Sequence, residues 1–368
     1  MARSSDAVDA VDTRVYTIPT DHPEGDGTLA WDSTTLVVVT VRAGETTGLG
    51  WTYTSAAAKD LIDDKLAGTV QGTDPLDVVG THETMVRAVR NTGRPGLVSC
   101  AISAVDTALW DLKARLLGVA LADLWGRGRA DVPLYGSGGF TTYDDDTTRR
   151  QVEGWLGAGM SRVKIKIGES WGSEPQRDLH RARLVRRLVG DDVQVFVDAN
   201  GAYTRKQAVR MGLRLAEEAG VVWFEEPVSS DDRTGLREVR DQCPQDVAAG
   251  EYGYLPHYFA ELVTDEAVDC VQADVTRCGG YTDWLRVAGL VACHGLPISG
   301  HCAPNLHAHV AVHCPHLAHL EYFHDHVRIE QMLFDGALSP RGGALVPGSD
   351  PGHGMALKTA DAEPYRTA

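Results

Sequence analysis

Three acidic residues, each closing a short apolar run, define the chemistry open to this chain: Asp198 in VFVDAN, Glu225 in WFEEP and Glu251 in AAGE. If those runs are strands of one sheet, the carboxylates converge as an all-oxygen cluster. Such a cluster repels itself unless a hard divalent cation, Mg2+ by default, sits among them. On one flank, VKIKIG sets Lys164 and Lys166 two residues apart and therefore on the same side of a strand. On the other stands His301 in ISGHCAPN. A lysine beside another cation gives up its proton more readily, which makes Lys166 the candidate base, with Lys164 holding it and a substrate carboxylate. Asp274 in VQADVTRCGG is suited to orient the His301 imidazole for proton transfer. Glu321 in HLEYF is expected to hydrogen-bond a forming enediolate as the neutral acid. Any one of these residues alone reads as a solvated charge or a surface strand; only their common register points to a site.

The elements that must position them follow from spacing. Lys166, Asp198, Glu225, Glu251, Asp274, His301 and Glu321 are separated by 32, 27, 26, 23, 27 and 20 residues. One strand plus one helix occupies about 30 residues in a (β/α)8 barrel, whose strand C-termini all open on one face. From Pro133 onward, short apolar runs alternate with amphipathic stretches, as parallel βα units do. In one such unit VQVFV ends at Asp198, Thr204 with Gln207 predicts a capping box, Gly220 closes the helix, and VVWF follows. Upstream, Thr34–Ala43 is β-branched and predicts a hairpin with Gly48–Thr54, and Ala101–Leu117 has helical apolar spacing stopped by Gly118. The expected class is α/β: a (β/α)7–8 TIM-like barrel over residues 129–334, with an N-terminal α+β capping domain over 1–128. The tail 335–368 is free to pack back on that domain.

Composition narrows the partners. Lys plus Arg is 35 against 51 for Asp plus Glu, a net charge of −16, which disfavours nucleic acid and anionic lipid. The longest apolar runs, such as LVVVTV, are strand-sized, so no membrane span is expected. Seven cysteines without a CxxC pair, and a start lacking an apolar signal core, point to a reduced cytoplasm.

Taken in order, VKIKIG, VDAN, WFEEP, GE, ADVTRCGG, SGHCAPN and LEYF resemble the enolase superfamily, specifically the mandelate racemase subgroup with its acid-sugar dehydratases and racemases. The resemblance covers nearly the whole chain. It implies that Asp198, Glu225 and Glu251 hold Mg2+, that Lys166 is the base on one face, and that His301 with Asp274 is the base on the other. It also implies that Lys164, Asn200 and Glu321 contact the substrate carboxylate or its enediolate, and that the chain forms a homo-oligomer. Muconate-cycloisomerase-like relatives carry a lysine where this chain has Asp274 and Arg277, so His301 decides the subgroup.

The implied activity is abstraction of the proton α to a carboxylate, with dehydration of a sugar acid as the expected outcome. Racemisation, epimerisation or cycloisomerisation on the same site is the alternative. Specificity in the family comes from N-terminal loops. Here these are expected at Pro19–Asp32, with His22, and around Trp51 and Tyr53; their polarity suits a polyol acid. Two readings of other kinds compete: a Schiff-base aldolase built on Lys166, and a non-catalytic metal-binding protein built on the nine histidines from His294 to His326.

Overall fold

The computed structural model describes residues 7–368. Three antiparallel strands open the chain: β1 (Ala10–Gly25), β2 (Ala30–Ala43) and β3 (Thr46–Tyr53), in the order β1-β2-β3. The β2–β3 hairpin turns at Gly44, where φ is +58°. The helix Leu97–Leu117, ended by left-handed Gly118, lies across this sheet. Gly48 and Gly50 permit the approach, because a Cβ there would lie 2.2 Å from the Ala108 carbonyl oxygen and 2.3 Å from that of Ala104.

Eight parallel strands follow: β4 (Val132–Gly138), β5 (Arg162–Lys166), β6 (Gln194–Asp198), β7 (Val221–Glu225), β8 (Asp246–Ala249), β9 (Cys270–Ala273), β10 (Ile298–Gly300) and β11 (Leu317–Phe323). Each pairs with its neighbours, and β11 closes on β4 with Leu320 opposite Leu134. A helix follows every strand, so the architecture is a closed eight-stranded barrel with an α+β capping unit. The last stretch touches both parts. Ala344–Leu345 pairs antiparallel with β4, while Val15 N donates to the Ala368 carbonyl at 2.8 Å.

Three expectations about the N-terminal part and the barrel helices are corrected. Pro19–Asp32 is not an open loop: β1 and β2 pair through Glu24↔Trp31 and Gly25↔Ala30 beyond a bulge, leaving only residues 26–29 as a turn. Asp26 Oδ1 ties that turn by accepting from the amides of Thr28 (2.6 Å) and Leu29 (2.8 Å). Trp51 and Tyr53 lie in β3 and are buried: Trp51 stacks on Phe334 at 4.5 Å, and Tyr53 stacks on His326 at 3.5 Å. Large aromatic faces gain more from burial against these partners than from a solvent-facing loop. The capping box does not form: Thr204 makes no side-chain cap, and the Gln207 side chain donates instead to the Gly172 carbonyl.

Buried titratable groups set the pH response of the metal-free fold. Burial, with repulsion from Asp325, pushes the Glu24 carboxyl up to about 9. Burial pushes Glu330 up to about 7 against hydrogen bonds from Asn305 and Tyr53. Burial opposes the charged form of His82, but Asp106 and Asp283 outweigh it and raise it to about 9. The carboxyls lose their contribution as pH rises from 4.5 through those folded values, and His82 loses its own between 6.5 and 9. Below 6.5 the sign reverses, because burial pushes His309, His319 and His326 down to about 3 and they resist the charging that the unfolded chain undergoes. The melting temperature in EDTA should therefore peak between pH 6 and 7 and fall by roughly 5–10 °C at pH 9. A melting temperature that is flat or rising over that range would contradict the assignment of these groups.

Candidate active site

The C-terminal ends of β5 to β11 converge on one buried polar cluster. Lys166 is the last residue of β5, Asp198 of β6 and Glu225 of β7. Glu251 and Asp274 follow β8 and β9, His301 follows β10, and Glu321 lies within β11. Asp198, Glu225 and Glu251 each offer an oxygen within 4.8 Å of the others, and all three are buried.

Two cations hold one end of this triad. Lys166 Nζ donates to Asp198 Oδ2 at 2.5 Å. Lys164 Nζ lies 2.7 Å from both Glu225 carboxylate oxygens, 2.7 Å from Glu321 Oε1 and 3.6 Å from Asp198 Oδ2. Burial is the largest influence and disfavours the Lys166 ammonium, as Lys164 does, but Asp198, Glu251 and Glu321 together outweigh them and hold the pKa above its ordinary value. This corrects the expectation that the neighbouring lysine brings Lys166 toward neutrality: in the metal-free arrangement the carboxylates decide. Lys164 is likewise held charged, against burial, by Glu225, Glu321 and Asp198.

His301 occupies the other end. Its Nδ1 lies 2.8 Å from Asp274 Oδ2, while Nε2 lies 3.2 Å from Glu251 Oε2 and 3.6 Å from Glu321 Oε2. Asp274 is fixed in turn by the Thr276 amide and hydroxyl, both at 2.7 Å from Oδ1. Burial works against its charge, yet His301 and Arg277 keep Asp274 below the usual carboxylate range. Glu321 is also corrected. Burial would raise it, but Lys164 and His301 hold it ionised, with Ser137 Oγ donating at 2.6 Å and the Cys302 amide at 3.1 Å.

Of the remaining candidates, Asn200 donates its amide to Asp198 Oδ1 at 2.9 Å, and its own Oδ1 is buried without a partner. It lines a cavity of about 530 Å³ together with Thr28, Trp171, Glu226, Ser229 and Tyr252. His22 does not join this group. It is exposed, edge-on to Tyr143 at 6.0 Å, and lines a separate cavity of about 330 Å³. Trp51 and Tyr53 line neither cavity.

The sequence reading missed Glu226, Arg277 and Ser137 as site elements, and held residues 26–29 only within the longer Pro19–Asp32 loop. Glu226 is buried, its Oε1 has no partner, and its φ is +37°. Of the seven non-glycine residues with positive φ among those described, six lie in loops following β5, β6, β7 and β10: Ser170, Trp171, Asn200, Glu226, Cys302 and Ala303. Strain of that kind concentrates at functional sites, and local sequence carries little trace of it. The tip of the capping sheet is seated there too, since Gly27 accepts from Trp171 N at 2.9 Å. A Cβ on Gly27 would meet the Ile167 and Ala199 carbonyl oxygens at 2.7 and 2.8 Å.

The donor set fits a hard divalent cation. It is all oxygen, and Glu251 Oε2 is buried without an aligned hydrogen bond, although His301 Nε2 is 3.2 Å away. Burial first, and then Asp198, push Glu225 up to about 8 despite Lys164.

Comparison with known proteins agrees with this fold. Residues 147–362 match the enolase C-terminal domain-like family, and residues 12–126 match the mandelate racemase/muconate lactonizing enzyme N-terminal domain. The chain belongs to the enolase superfamily. It is 49% identical, with a TM-score of 0.95, to a mandelate racemase/muconate lactonizing enzyme-like protein from Rubrobacter xylanophilus, covering 98% of this chain and 100% of that one. It is 31% identical to L-talarate/galactarate dehydratase of Salmonella typhimurium strain LT2, over 84% of this chain and 77% of the relative. A racemase from Streptomyces coelicolor A3(2), solved with bound magnesium, is 27% identical with a TM-score of 0.92, covering 98% of this chain and 100% of that one. This member of the superfamily is an enzyme, a lyase or isomerase. No helix among the described residues is long and apolar enough to cross a membrane.

Proposed function

We propose that this enzyme abstracts the proton α to the carboxylate of a sugar acid and then eliminates water from the resulting enediolate. The observation that carries this reading is the attachment of two proton-transfer groups to opposite ends of one acid triad, Lys166 on Asp198 and His301 on Glu251. Asp198, Glu225 and Glu251 would hold Mg2+, which supplies electrostatic stabilisation for the charge that develops on the substrate carboxylate.

The chain's own groups do the rest. Whichever of Lys166 Nζ and His301 Nε2 is neutral in the loaded enzyme takes the α-proton, and the C–H electron pair moves into the enediolate. The other delivers a proton to the β-hydroxyl as the C–O bond breaks, so water leaves and an enol remains that tautomerises to an α-keto acid. Asp274, on Nδ1, leaves Nε2 of His301 as the exchanging atom. Lys164 and Ser137 fix Glu321 at the back of the site. The turn at Gly27 and the left-handed Ser170–Trp171 pair limit water entry from the capping side.

Dehydration of a polyol acid is preferred because the cavity lined by Asn200, Glu226 and Tyr252, which stand close to the triad residues in sequence, also presents Thr28, Ser229, Ser230 and Asp231, beside Trp171, Tyr254 and Leu255. The dehydratase from Salmonella typhimurium supports the same choice. Racemisation remains the second reading because the paired bases serve it equally, and the magnesium-bound racemase relative points the same way.

Solvent-deuterium exchange followed by NMR, with Mg2+ and a panel of aldonic and aldaric acids, tests the proposal. Deuterium should enter at the α-carbon of at least one acid, with release of an α-keto acid. Neither exchange nor turnover across the panel, with metal shown to be bound, would sink it. Exchange with inversion and no keto acid would transfer the assignment to racemisation.

A further inference from the structure

Away from the triad, a second group of ligand-type side chains lies where the capping sheet meets the end of β11. Asp21 and Glu24 belong to the bulged part of β1, and His324 begins the helix His324–Leu333, three residues after Glu321. Each offers a donor atom within 4.8 Å of the other two. Donors sharing one cation at about 2.0–2.2 Å stand at most about 4.4 Å apart, so a small side-chain rotation completes the set. His324 Nε2 already lies 3.0 Å from Asp21 Oδ2.

Glu24 supplies the independent sign of a missing ligand. It is fully buried; its Oε2 accepts from Trp31 Nε1 at 2.9 Å, while its Oε1 is buried with no partner. A buried carboxylate oxygen left bare is costly unless a cation or donor meets it. The nearby guanidinium does not reach this oxygen: Arg328 Nη2 donates to Asp325 Oδ1 and the Pro19 carbonyl, both at 2.7 Å, and its Nε makes no hydrogen bond. Asp21, His22 and His324 also line the cavity of about 330 Å³, which gives a small ion a route in.

We propose that Asp21, Glu24 and His324 form a second divalent-metal site, distinct from the barrel triad, that fastens the capping sheet to the barrel. Two oxygens and one imidazole nitrogen select a borderline cation such as Zn2+ over Mg2+, whose preference is for oxygen alone. His22, in the same cavity, is the neighbouring side chain able to add a further nitrogen. Bound there, the ion replaces the proton that burial keeps on Glu24 and ties β1 to the start of the helix that follows β11, whose Phe323 ring lies 6.0 Å from Lys166 Nζ. Occupancy thereby stiffens the wall of the catalytic cavity without joining the reaction. Of the nine histidines from His294 to His326, only His324 belongs to this cluster.

Co2+ titration of the full metal-free chain, with stoichiometry from calorimetry and visible absorption, tests this. The wild type should bind two equivalents; Glu24→Gln and His324→Asn should each bind one. Asp198→Asn should lose the barrel equivalent and keep the other, so a failure of the triad reading is separable from a failure of this one. Asp21→Asn, at a partly exposed position, repeats the test should Glu24→Gln or His324→Asn not fold. Equal stoichiometry in the wild type and in every folded variant of Asp21, Glu24 and His324 would overturn the site.

Discussion

Lys166→Met and His301→Asn are each expected to lower turnover by about 10²- to 10⁴-fold, the usual range for a general acid or base. The diagnostic part is the asymmetry. Lys166 sits on Asp198 and His301 on Glu251, so removing one leaves the other seated against its own carboxylate. One of the two variants should therefore still exchange the α-proton with solvent while failing to release product, because the surviving group opens the enediolate and no acid remains to expel the hydroxyl. Deuterium incorporation and keto-acid release, measured on the same samples, separate the two steps. If both variants kept wild-type turnover, the roles given to these residues would be wrong. If both lost exchange as well as turnover, the two groups would have to act in a single step.

Lys164→Met should be the most destabilising single change in the barrel, costing about 3–5 kcal/mol in the metal-free protein. The ammonium is fully buried among Glu225, Glu321 and Asp198, and methionine keeps much of its volume while removing the charge. What remains is a set of buried carboxylates facing one another. Denaturant unfolding in EDTA reads the loss directly, and added Mg2+ should recover part of it by neutralising the same oxygens. A cost below about 1 kcal/mol would mean that Glu225 and Glu321 are neutralised by something other than Lys164.

Much of this site was legible in the linear chain because a parallel barrel converts spacing into proximity. Residues 20 to 32 apart, each at the end of an apolar run, must meet on one face once every run is a strand and every gap a returning helix. The identities of the residues supplied the rest: carboxylates in series imply a hard cation, and lysine opposite histidine implies proton transfer. The helix Leu97–Leu117 and the β2–β3 hairpin were legible for the same reason, since their periodicity and their glycine stops are local.

Other features depend on what comes near through space, and spacing does not carry that information. The tryptophan and tyrosine at the end of β3 look like lid residues in sequence, yet Trp51 is covered by Phe334, just after the helix His324–Leu333, and Tyr53 by His326 within that helix. The tract around His22 reads as a polar loop because the pairing of Glu24 with Trp31 requires a bulge that has no sequence signature. Glu226 was passed over beside Glu225, although it is buried in the same cluster with an unpartnered oxygen.

The sequence by itself determined the repeating βα order, the all-oxygen triad and the two candidate proton-transfer groups, because these follow from residue type and period. Only the tertiary structure decided the protonation of those groups and the roof above them. Charge state depends on burial and on the sum of neighbouring charges, so Glu321 is ionised by Lys164 and His301, and Lys166 is held charged by Asp198. The roof depends on how close two backbones can come, and at Gly27 a missing Cβ lets the capping turn rest on the carbonyls at the ends of β5 and β6.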